Sequence, residues 1–209
     1  METITRGWAY LKVSEGCDNR CAYCAIPLIR GGLDSRPLSG LVEEARWLEG
    51  LGTRELNLIA QDTSRYGRDR GDGSGLAGLV AAIDALPGDF WLRILYTHPV
   101  HVDDALLLAL ARAKHVVPYL DMPLQHISTG VLRAMRRGMS GEATRDRLAR
   151  LRDLWPGVAV RTTFLVGFPG ETEADFGELL EFAAEYRFDR LGVFAYSPEE
   201  GTPAAARSE

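Results

Sequence analysis

The sequence predicts an α/β fold, a partial (β/α)6 TIM-like barrel, from the way apolar segments alternate along the chain. Short apolar runs of strand length are followed by longer segments with helical periodicity, and the pattern recurs about six times. A complete eight-unit barrel takes roughly 250 residues, and this chain has 209. Six units in a shorter chain therefore favour a partial barrel. The periodicity alone also admits a doubly wound open sheet, with right-handed connections in either case.

The predicted strands are runs rich in apolar and β-branched residues. They are residues 9–14, 55–60, 91–96, 116–121, 158–166 and 191–196. Residues 61–75 are polar and glycine-rich, which indicates a long loop after the second strand. Residues 197–209 show no period and are expected to form an irregular tail.

The predicted helices lie between these strands and carry recognisable end signals. They are residues 41–51, 76–86, 103–114, 128–137, 142–154 and the segment from Thr172 to Tyr186. Ser39 is the expected N-cap of the first helix and Gly52 its end. Acidic residues open the third helix, where the helix dipole favours them. Thr172 and Asp175 have the spacing of a capping box at the start of the last helix.

Composition limits the possible classes of protein. A chain with 46% hydrophobic residues can bury one sizeable core, so we expect residues 1–209 to form one domain. No run of about 18 apolar residues predicts a membrane span, and the N-terminus lacks the apolar core of a signal peptide. The net charge of -5 argues against a generally basic nucleic-acid binder.

The strongest chemical signal is a loop with three cysteines, Cys17, Cys21 and Cys24, directly after the first predicted strand. Thiolates are soft ligands for iron or zinc, and both a structural zinc site and an ordinary [4Fe-4S] cluster take four protein ligands. Three ligands leave one position open, which a small molecule with an amine and a carboxylate could chelate. The alternatives are a zinc site completed by a distant histidine and cysteines that bind no metal. An odd cysteine count without a secretion signal favours a reducing compartment over a disulfide.

This loop resembles the signature of the radical SAM enzymes, C-x3-C-x-aromatic-C, with Tyr23 in the aromatic position. The resemblance implies the partial barrel fold, a [4Fe-4S] cluster on the three cysteines and S-adenosylmethionine as second cofactor. Barrel folds place their chemistry at the carboxyl ends of the strands, and the cysteine loop lies at such an end.

Other strand ends carry candidate contacts for S-adenosylmethionine. The resemblance implies that Gln61 and Asp62, after the second strand, hold its amino group, and a carboxylate suits an ammonium. Gln125, after the fourth strand, and Arg137, on the helix that follows, supply an amide and a guanidinium for its carboxylate and ribose.

The last two strands supply further candidates. Gly167 and Gly170, after the fifth strand, let a backbone approach a ligand closely, although an ordinary tight turn explains them equally well. Thr163 on the fifth strand and Phe194 on the sixth are the further cofactor contacts that we expect. No Walker ending is present, so binding of a nucleoside triphosphate is rejected.

None of the four histidines is a predicted cofactor contact. His98, His101 and His115 are interpreted as ordinary surface or core residues, whereas His126 is left open.

Five segments together resemble the methylthiotransferases of this superfamily: residues 14–17, 27–31, 35–37, 166–172 and 197–204. Gln61-Asp62-Thr63-Ser64 and Pro123-Leu124-Gln125-His126 resemble the branch that modifies an aspartate of small-subunit ribosomal protein twelve. The alternatives are the branch that modifies an adenosine of transfer RNA and a non-catalytic zinc-binding barrel. The acidic net charge weighs mildly against the RNA branch.

The resemblance further implies what the chain does and what it lacks. A 5'-deoxyadenosyl radical would remove hydrogen from the β-carbon of the substrate aspartate. The expected partners are the ribosomal protein and an electron donor such as flavodoxin, in the cytoplasm, without a membrane. Family members also have an N-terminal domain with a second cluster and a C-terminal TRAM domain. We expect neither in this chain, and therefore at most cleavage of S-adenosylmethionine by the chain alone.

Overall fold

The barrel is described by a computed structural model that covers residues 7–207. Its strands are β1 (Trp8–Lys12), β2 (Ser14–Glu15), β3 (Asp34–Ser35), β4 (Glu55–Ile59), β5 (Trp91–Ile94), β6 (Tyr119–Asp121), β7 (Ala159–Val166) and β8 (Arg190–Ala195). Its helices are α1 (Ile26–Arg30), α2 (Leu38–Gly50), α3 (Leu76–Asp84), α4 (Asp104–Arg112), α5 (Thr129–Ala134), α6 (Gly141–Leu154) and α7 (Glu173–Tyr186), with 3-10 turns at Thr63–Arg65 and Pro99–His101. The predicted strand and helix order is therefore confirmed.

Six of the strands form the barrel wall in chain order. Strands β1, β4 and β5 pair in parallel, and so do β6, β7 and β8. A parallel bridge between Leu92 and Val116 joins the two halves, with the Leu92 amide donating to the His115 carbonyl at 2.7 Å. Strands β2 and β3 form a separate antiparallel pair beside the wall. The wall is the predicted partial (β/α)6 barrel, not a doubly wound sheet.

The larger of two buried apolar clusters runs through both halves of the wall. Leu11, Leu58 and Ile94 on the first three strands and Leu120 and Phe164 on later strands belong to one buried cluster. The helices pack their apolar stripes onto its outside. Within residues 7–207, none of the helices has both the length and the apolarity required to cross a bilayer.

Local signals explain where the elements end. Asp103 caps α4 by accepting from the Leu106 amide at 2.8 Å, and the capping box of Thr172 and Asp175 opens α7 as predicted. The predicted N-cap at Ser39 is wrong. The N-cap position of helix α2 is Pro37, two residues earlier, and no side chain caps it, so Ser39 lies inside the first turn of the helix.

Two differences from the predicted elements have simple causes. The fourth barrel strand was expected over residues 116–121, but β6 is confined to Tyr119–Asp121 because Pro118 lacks the amide that a continuous ladder needs. Helix α1 was not predicted at all. Its five residues bury no side chain, so they have no apolar periodicity to detect.

Candidate functional site

The cysteine loop begins at a turn that only glycine can make. Gly16 has φ of 70°, and a Cβ there would lie 1.9 Å from the Gly32 carbonyl oxygen. This close approach lets the Cys17 amide donate to the Gly31 carbonyl at 3.1 Å. The loop is thereby fastened to residues 31–32, next to the β2–β3 pair.

The three thiols are free and largely enclosed. Cys17 and Cys21 are buried, Cys24 is half-buried, and none is in a disulfide. Burial raises the pKa of the Cys17 and Cys24 thiols, so they are protonated at neutral pH until a metal displaces the protons. Among residues 7–207 no three His, Cys, Asp or Glu side chains converge on one metal ion. In a cubane cluster each cysteine binds a different iron, so its thiolates need not converge on one ion.

A cavity of about 190 Å³ lies against these thiols. Eight of the ten predicted site residues line it, together with five others. The lining residues are Cys17, Asn19, Cys21, Tyr23, Cys24, Gln61, Asp62, Tyr96, Thr97, His98, Pro123, Gln125 and Arg137. The cavity therefore collects groups from the ends of β4, β5 and β6, as the barrel geometry predicts.

Asp62 is buried, and its carboxylate already has protein partners. Its Oδ2 accepts from the side-chain amide of Asn19 at 2.6 Å, and its Oδ1 accepts from the Ser64 amide and hydroxyl. Asn19 lies between Cys17 and Cys21, and its Oδ1 lies 3.1 Å from the His101 Nε2. Asp62 thus fixes the cysteine loop onto the end of β4.

Gln61 presents a free acceptor. Its Nε2 donates to the Glu15 carboxylate at 2.9 Å, which fixes the orientation of the amide. Its Oε1 is buried and has no hydrogen-bond partner among residues 7–207. A buried carbonyl oxygen without a donor is costly, so this atom is suited to a ligand that brings an N–H group.

Arg137 lies behind the cysteines and is almost completely buried. Its Nη1 lies 3.4 Å from both the Cys21 Sγ and the Tyr23 hydroxyl, and its Nη2 donates to the Pro123 carbonyl at 2.6 Å. Its Nε is buried without a partner in the described part of the chain. Burial raises the pKa of Tyr23, so its hydroxyl stays neutral. One guanidinium therefore contacts a predicted metal ligand and retains a free donor.

Two residues that line the cavity have a backbone conformation that side chains disfavour. Tyr96 has φ of 59° and Gln125 has φ of 74°. Both are held by neighbouring segments: the Thr63 amide, in the 3-10 turn after β4, donates to the Tyr96 carbonyl at 2.9 Å, and the Gln125 amide donates to the Thr163 carbonyl of β7 at 2.8 Å. Such strain persists where the surroundings enforce it and is concentrated at functional sites.

Thr163 and Phe194, the other two predicted contacts, lie beside the cavity and do not line it. Thr163 is half-buried on β7, and Phe194 on β8 is 63% exposed. They remain predicted cofactor contacts.

The sequence analysis did not identify five of the lining residues: Asn19, Tyr96, Thr97, His98 and Pro123. Tyr96 ends the third predicted strand and His98 comes two residues later, so their position at a strand end was an available signal. Burial lowers the pKa of His98 to about 2, so its ring is neutral.

His126, to which the sequence assigns no role, links two segments behind the site. It is fully buried, its Nδ1 accepts from the Ser128 amide at 3.0 Å, and its Nε2 lies 3.5 Å from a Glu171 oxygen. It connects the Gln125 loop to the start of α7 and does not line the cavity.

The fold and the site together are those of the partial-barrel enzymes that work at the carboxyl ends of their strands. A family model described as the radical SAM superfamily matches residues 11–183. The chain belongs to the radical SAM superfamily.

Solved structures support the fold. The cobalamin- and [4Fe-4S]-bound radical S-adenosylmethionine methyltransferase TsrM from Kitasatospora setae superposes with a TM-score of 0.77 at 19% identity, over 94% of this chain and 38% of that one. Coproporphyrinogen III oxidase HemN from Escherichia coli, described as a radical SAM enzyme, has a TM-score of 0.68 at 16% identity, over 99% of this chain and 49% of that one.

Curated relatives are much more similar in sequence. A protein from Anaeromyxobacter sp. (strain K) is 53% identical over 96% of this chain and 43% of its own length. A protein from Geotalea uraniireducens is 51% identical over 94% of this chain and 44% of its own length. Both are named ribosomal protein uS12 methylthiotransferase RimO. The chain spans less than half the length of these relatives.

Proposed function

We propose that this chain is the radical SAM domain of a methylthiotransferase that acts on an aspartate of ribosomal protein uS12. The observation that carries the proposal is the three-thiol loop closing a cavity that contains unsatisfied polar atoms. Identities of 51 to 53% to relatives with that name, over nearly the whole chain, support the substrate. A ribosomal substrate in turn supports a cytoplasmic location.

The donor set fits the two cofactors of the superfamily. Cys17, Cys21 and Cys24 would each bind one iron of a [4Fe-4S] cluster, and the fourth iron stays open for a small molecule. The Gln61 Oε1 is a free acceptor for an ammonium, and the Arg137 Nε is a free donor for a carboxylate. These are the charged groups of the methionine part of S-adenosylmethionine.

When bound, the reduced cluster and S-adenosylmethionine supply a 5'-deoxyadenosyl radical that removes hydrogen from an unactivated carbon. The chain's own residues would hold the cluster and S-adenosylmethionine, orient them toward each other and shield them from water. Asp62 fixes the cysteine loop through Asn19. Tyr23 and Gln125 enclose the cavity, and Thr163 and Phe194 border the space in which an adenosyl group would extend. Water must be excluded from such a site, which agrees with the burial of Cys17 and Cys21.

The whole reaction needs partners that this chain does not contain. An electron donor such as flavodoxin would reduce the cluster. Sulfur insertion in the family depends on a second cluster, so this chain alone is expected to cleave S-adenosylmethionine without methylthiolating uS12. In this proposal, residues 1–209 are one core domain that binds neither a membrane nor, as its main substrate, a nucleic acid.

The test is anaerobic reconstitution with iron and sulfide, followed by reduction and addition of S-adenosylmethionine. We expect about four irons per chain and release of 5'-deoxyadenosine, both lost in Cys21→Ala. Ser197→Ala, a substitution in the tail, is the control and should change neither quantity. Stable zinc without a cluster or cleavage would contradict the radical SAM assignment. Tight binding of transfer RNA with no binding of uS12 would contradict the substrate.

A further inference from the structure

The interior side of the last two barrel strands carries positive charge beside the cavity. Alternate residues of β7 point to opposite sides of the wall. Phe164 packs on Phe182 of α7, with ring centroids 6.2 Å apart. The side of β7 that carries Phe164 therefore faces the helices. The opposite side, together with the residues in register on β8, is here called the inner face. It consists of Arg161, Thr163 and Leu165 on β7 and Arg190, Gly192 and Phe194 on β8.

Arg161 forms an ion pair with the buried carboxylate of Asp121. Its Nη1 donates to the Asp121 Oδ2 at 2.9 Å, and Asp121 is completely buried. The arginine side chain nevertheless keeps 40% of its surface exposed. Its other N–H groups have no hydrogen-bond partner within residues 7–207, so one side of the guanidinium is free to bind.

The charges on this face do not cancel. Arg190 is in register with Arg161 on the neighbouring strand and donates only to the Asp189 carbonyl, at 2.8 Å. Deeper in the barrel, Arg93 is neutralised by Glu55 at 2.7 Å and lies over the Tyr119 ring. Among residues 7–207, Arg161 is paired with the Asp121 carboxylate and Arg190 has no carboxylate partner, which leaves the inner face attractive to an anion.

The Arg161 site is connected to the cofactor cavity. The Asp121 Oδ2 also accepts from the Tyr96 amide at 3.2 Å, and Tyr96 lines the cavity with its ring 45% exposed. Further along β7, Leu165 packs against the cluster that contains Ala22 and Tyr23 of the cysteine loop. The Arg161 Nη1 and the Tyr96 amide therefore donate to the same Asp121 oxygen, so the guanidinium lies next to a residue that lines the cavity.

We propose that Arg161, oriented by Asp121, binds the side-chain carboxylate of the substrate aspartate. The inference deepens the proposed function and rests on it. A guanidinium with a free edge can pair with a carboxylate through two charge-assisted hydrogen bonds, which fixes direction as well as distance. Anchoring the carboxylate would present the adjacent β-carbon to the cavity. The pair would thus select aspartate over an uncharged side chain.

The test measures binding of two labelled peptides to the full chain with its cluster reconstituted. One peptide copies the uS12 segment around the substrate aspartate, and the second replaces that aspartate with asparagine. We expect the wild-type chain to bind the aspartate peptide about tenfold more tightly, the usual effect of one charge-assisted hydrogen bond. In Arg161→Gln this preference should disappear while affinity for the asparagine peptide stays the same. Arg161→Lys should keep part of the preference.

Arg93→Gln is the matched control, because it removes an arginine from the same barrel interior but from a pair that is already satisfied. It should leave the preference unchanged. If Arg161 had only a structural role, Arg161→Gln would weaken both peptides equally, and that result would overturn the inference. Equal wild-type affinity for both peptides would overturn it as well, whether or not any variant folds, while leaving uS12 as substrate. If the chain bound neither peptide, both this inference and the proposal that uS12 is the substrate would be wrong.

Discussion

At the scale of single residues, Arg137 is the group whose environment differs most from its predicted role. It was expected to meet the carboxylate of S-adenosylmethionine, yet its Nη1 lies 3.4 Å from the Cys21 Sγ. A cation that donates to a cluster sulfur stabilises the reduced, more negative state. Arg137 therefore combines a free Nε for a ligand with a direct influence on the thiolate.

We expect Arg137→Gln to lower the reduction potential of the reconstituted cluster. Loss of one hydrogen bond from a cation, worth about 1 kcal/mol or more, corresponds to about 40 mV for one electron. A spectroscopically monitored redox titration measures this shift. Arg133→Gln, on the exposed side of α5, is the control. Identical potentials in the wild type and Arg137→Gln would show that the guanidinium does not act on the cluster.

The buried ring of His98 should make the stability of the fold depend on pH. Burial lowers its pKa from 6.5 to about 2 in the folded state, so below pH 6.5 the unfolded chain binds a proton that the folded chain does not. Its contribution to stability is therefore complete above pH 6.5 and is lost as the pH falls toward 2. At pH 5 the loss is roughly 2 kcal/mol.

Chemical denaturation at pH 7 and pH 5 tests this expectation. His98→Asn removes the titrating ring and keeps an acceptor for the Val100 amide, which now bonds to the His98 Nδ1. The variant should lose less stability than the wild type between the two pH values. A loss of the same size in both proteins would mean that His98 is already protonated or accessible in the folded state.

At the scale of elements, the turn at Gly16 decides where the cysteines lie. Gly16→Ala places a Cβ against the Gly32 carbonyl, so the turn must open and the loop must shift. Gly157→Ala is the matched control, because Gly157 has φ of 79° but open space around its Cβ. Both variants hold an alanine in the left-handed conformation, which costs about 1 to 2 kcal/mol.

Only Gly16→Ala should also reduce the iron bound on reconstitution, by at least about half in an iron assay, because a displaced loop no longer holds three thiols together. The Gly157→Ala chain should bind iron like the wild type. Full iron content in Gly16→Ala would show that the loop tolerates the displacement.

The elements themselves were largely predictable, since their apolar patterns are local. All six barrel strands and six of the seven helices follow from periodicity and end signals in the sequence. The errors in the predicted elements arise where the local apolar pattern does not determine the structure. Helix α1 is too short to show a helical period, and Pro118 interrupts a run that is otherwise strand-like. The β2–β3 pair joins segments about twenty residues apart, and no repeat in the sequence indicates their pairing.

At the scale of the whole molecule, the site was only partly predictable. The cysteines, Gln61 and Gln125 were found because each lies in a short motif at a strand end. The Asn19–Asp62 bond, the free edge of Arg161 and its buried partner Asp121 depend on the register of strands far apart in the chain. Such contacts follow from the curvature of the barrel wall, and the periodicity of the sequence predicts the class of barrel but not these contacts.

The exposed last strand has a consequence for the behaviour of the molecule in solution. Among residues 7–207, strand β8 pairs on one side only, and Leu191, Val193 and Phe194 are each at least 44% exposed. An unpaired apolar edge is a template for strand addition between molecules. Concentrated samples should therefore tend to self-associate by extending the sheet, and more so in high salt, where the net charge of -5 no longer keeps the molecules apart.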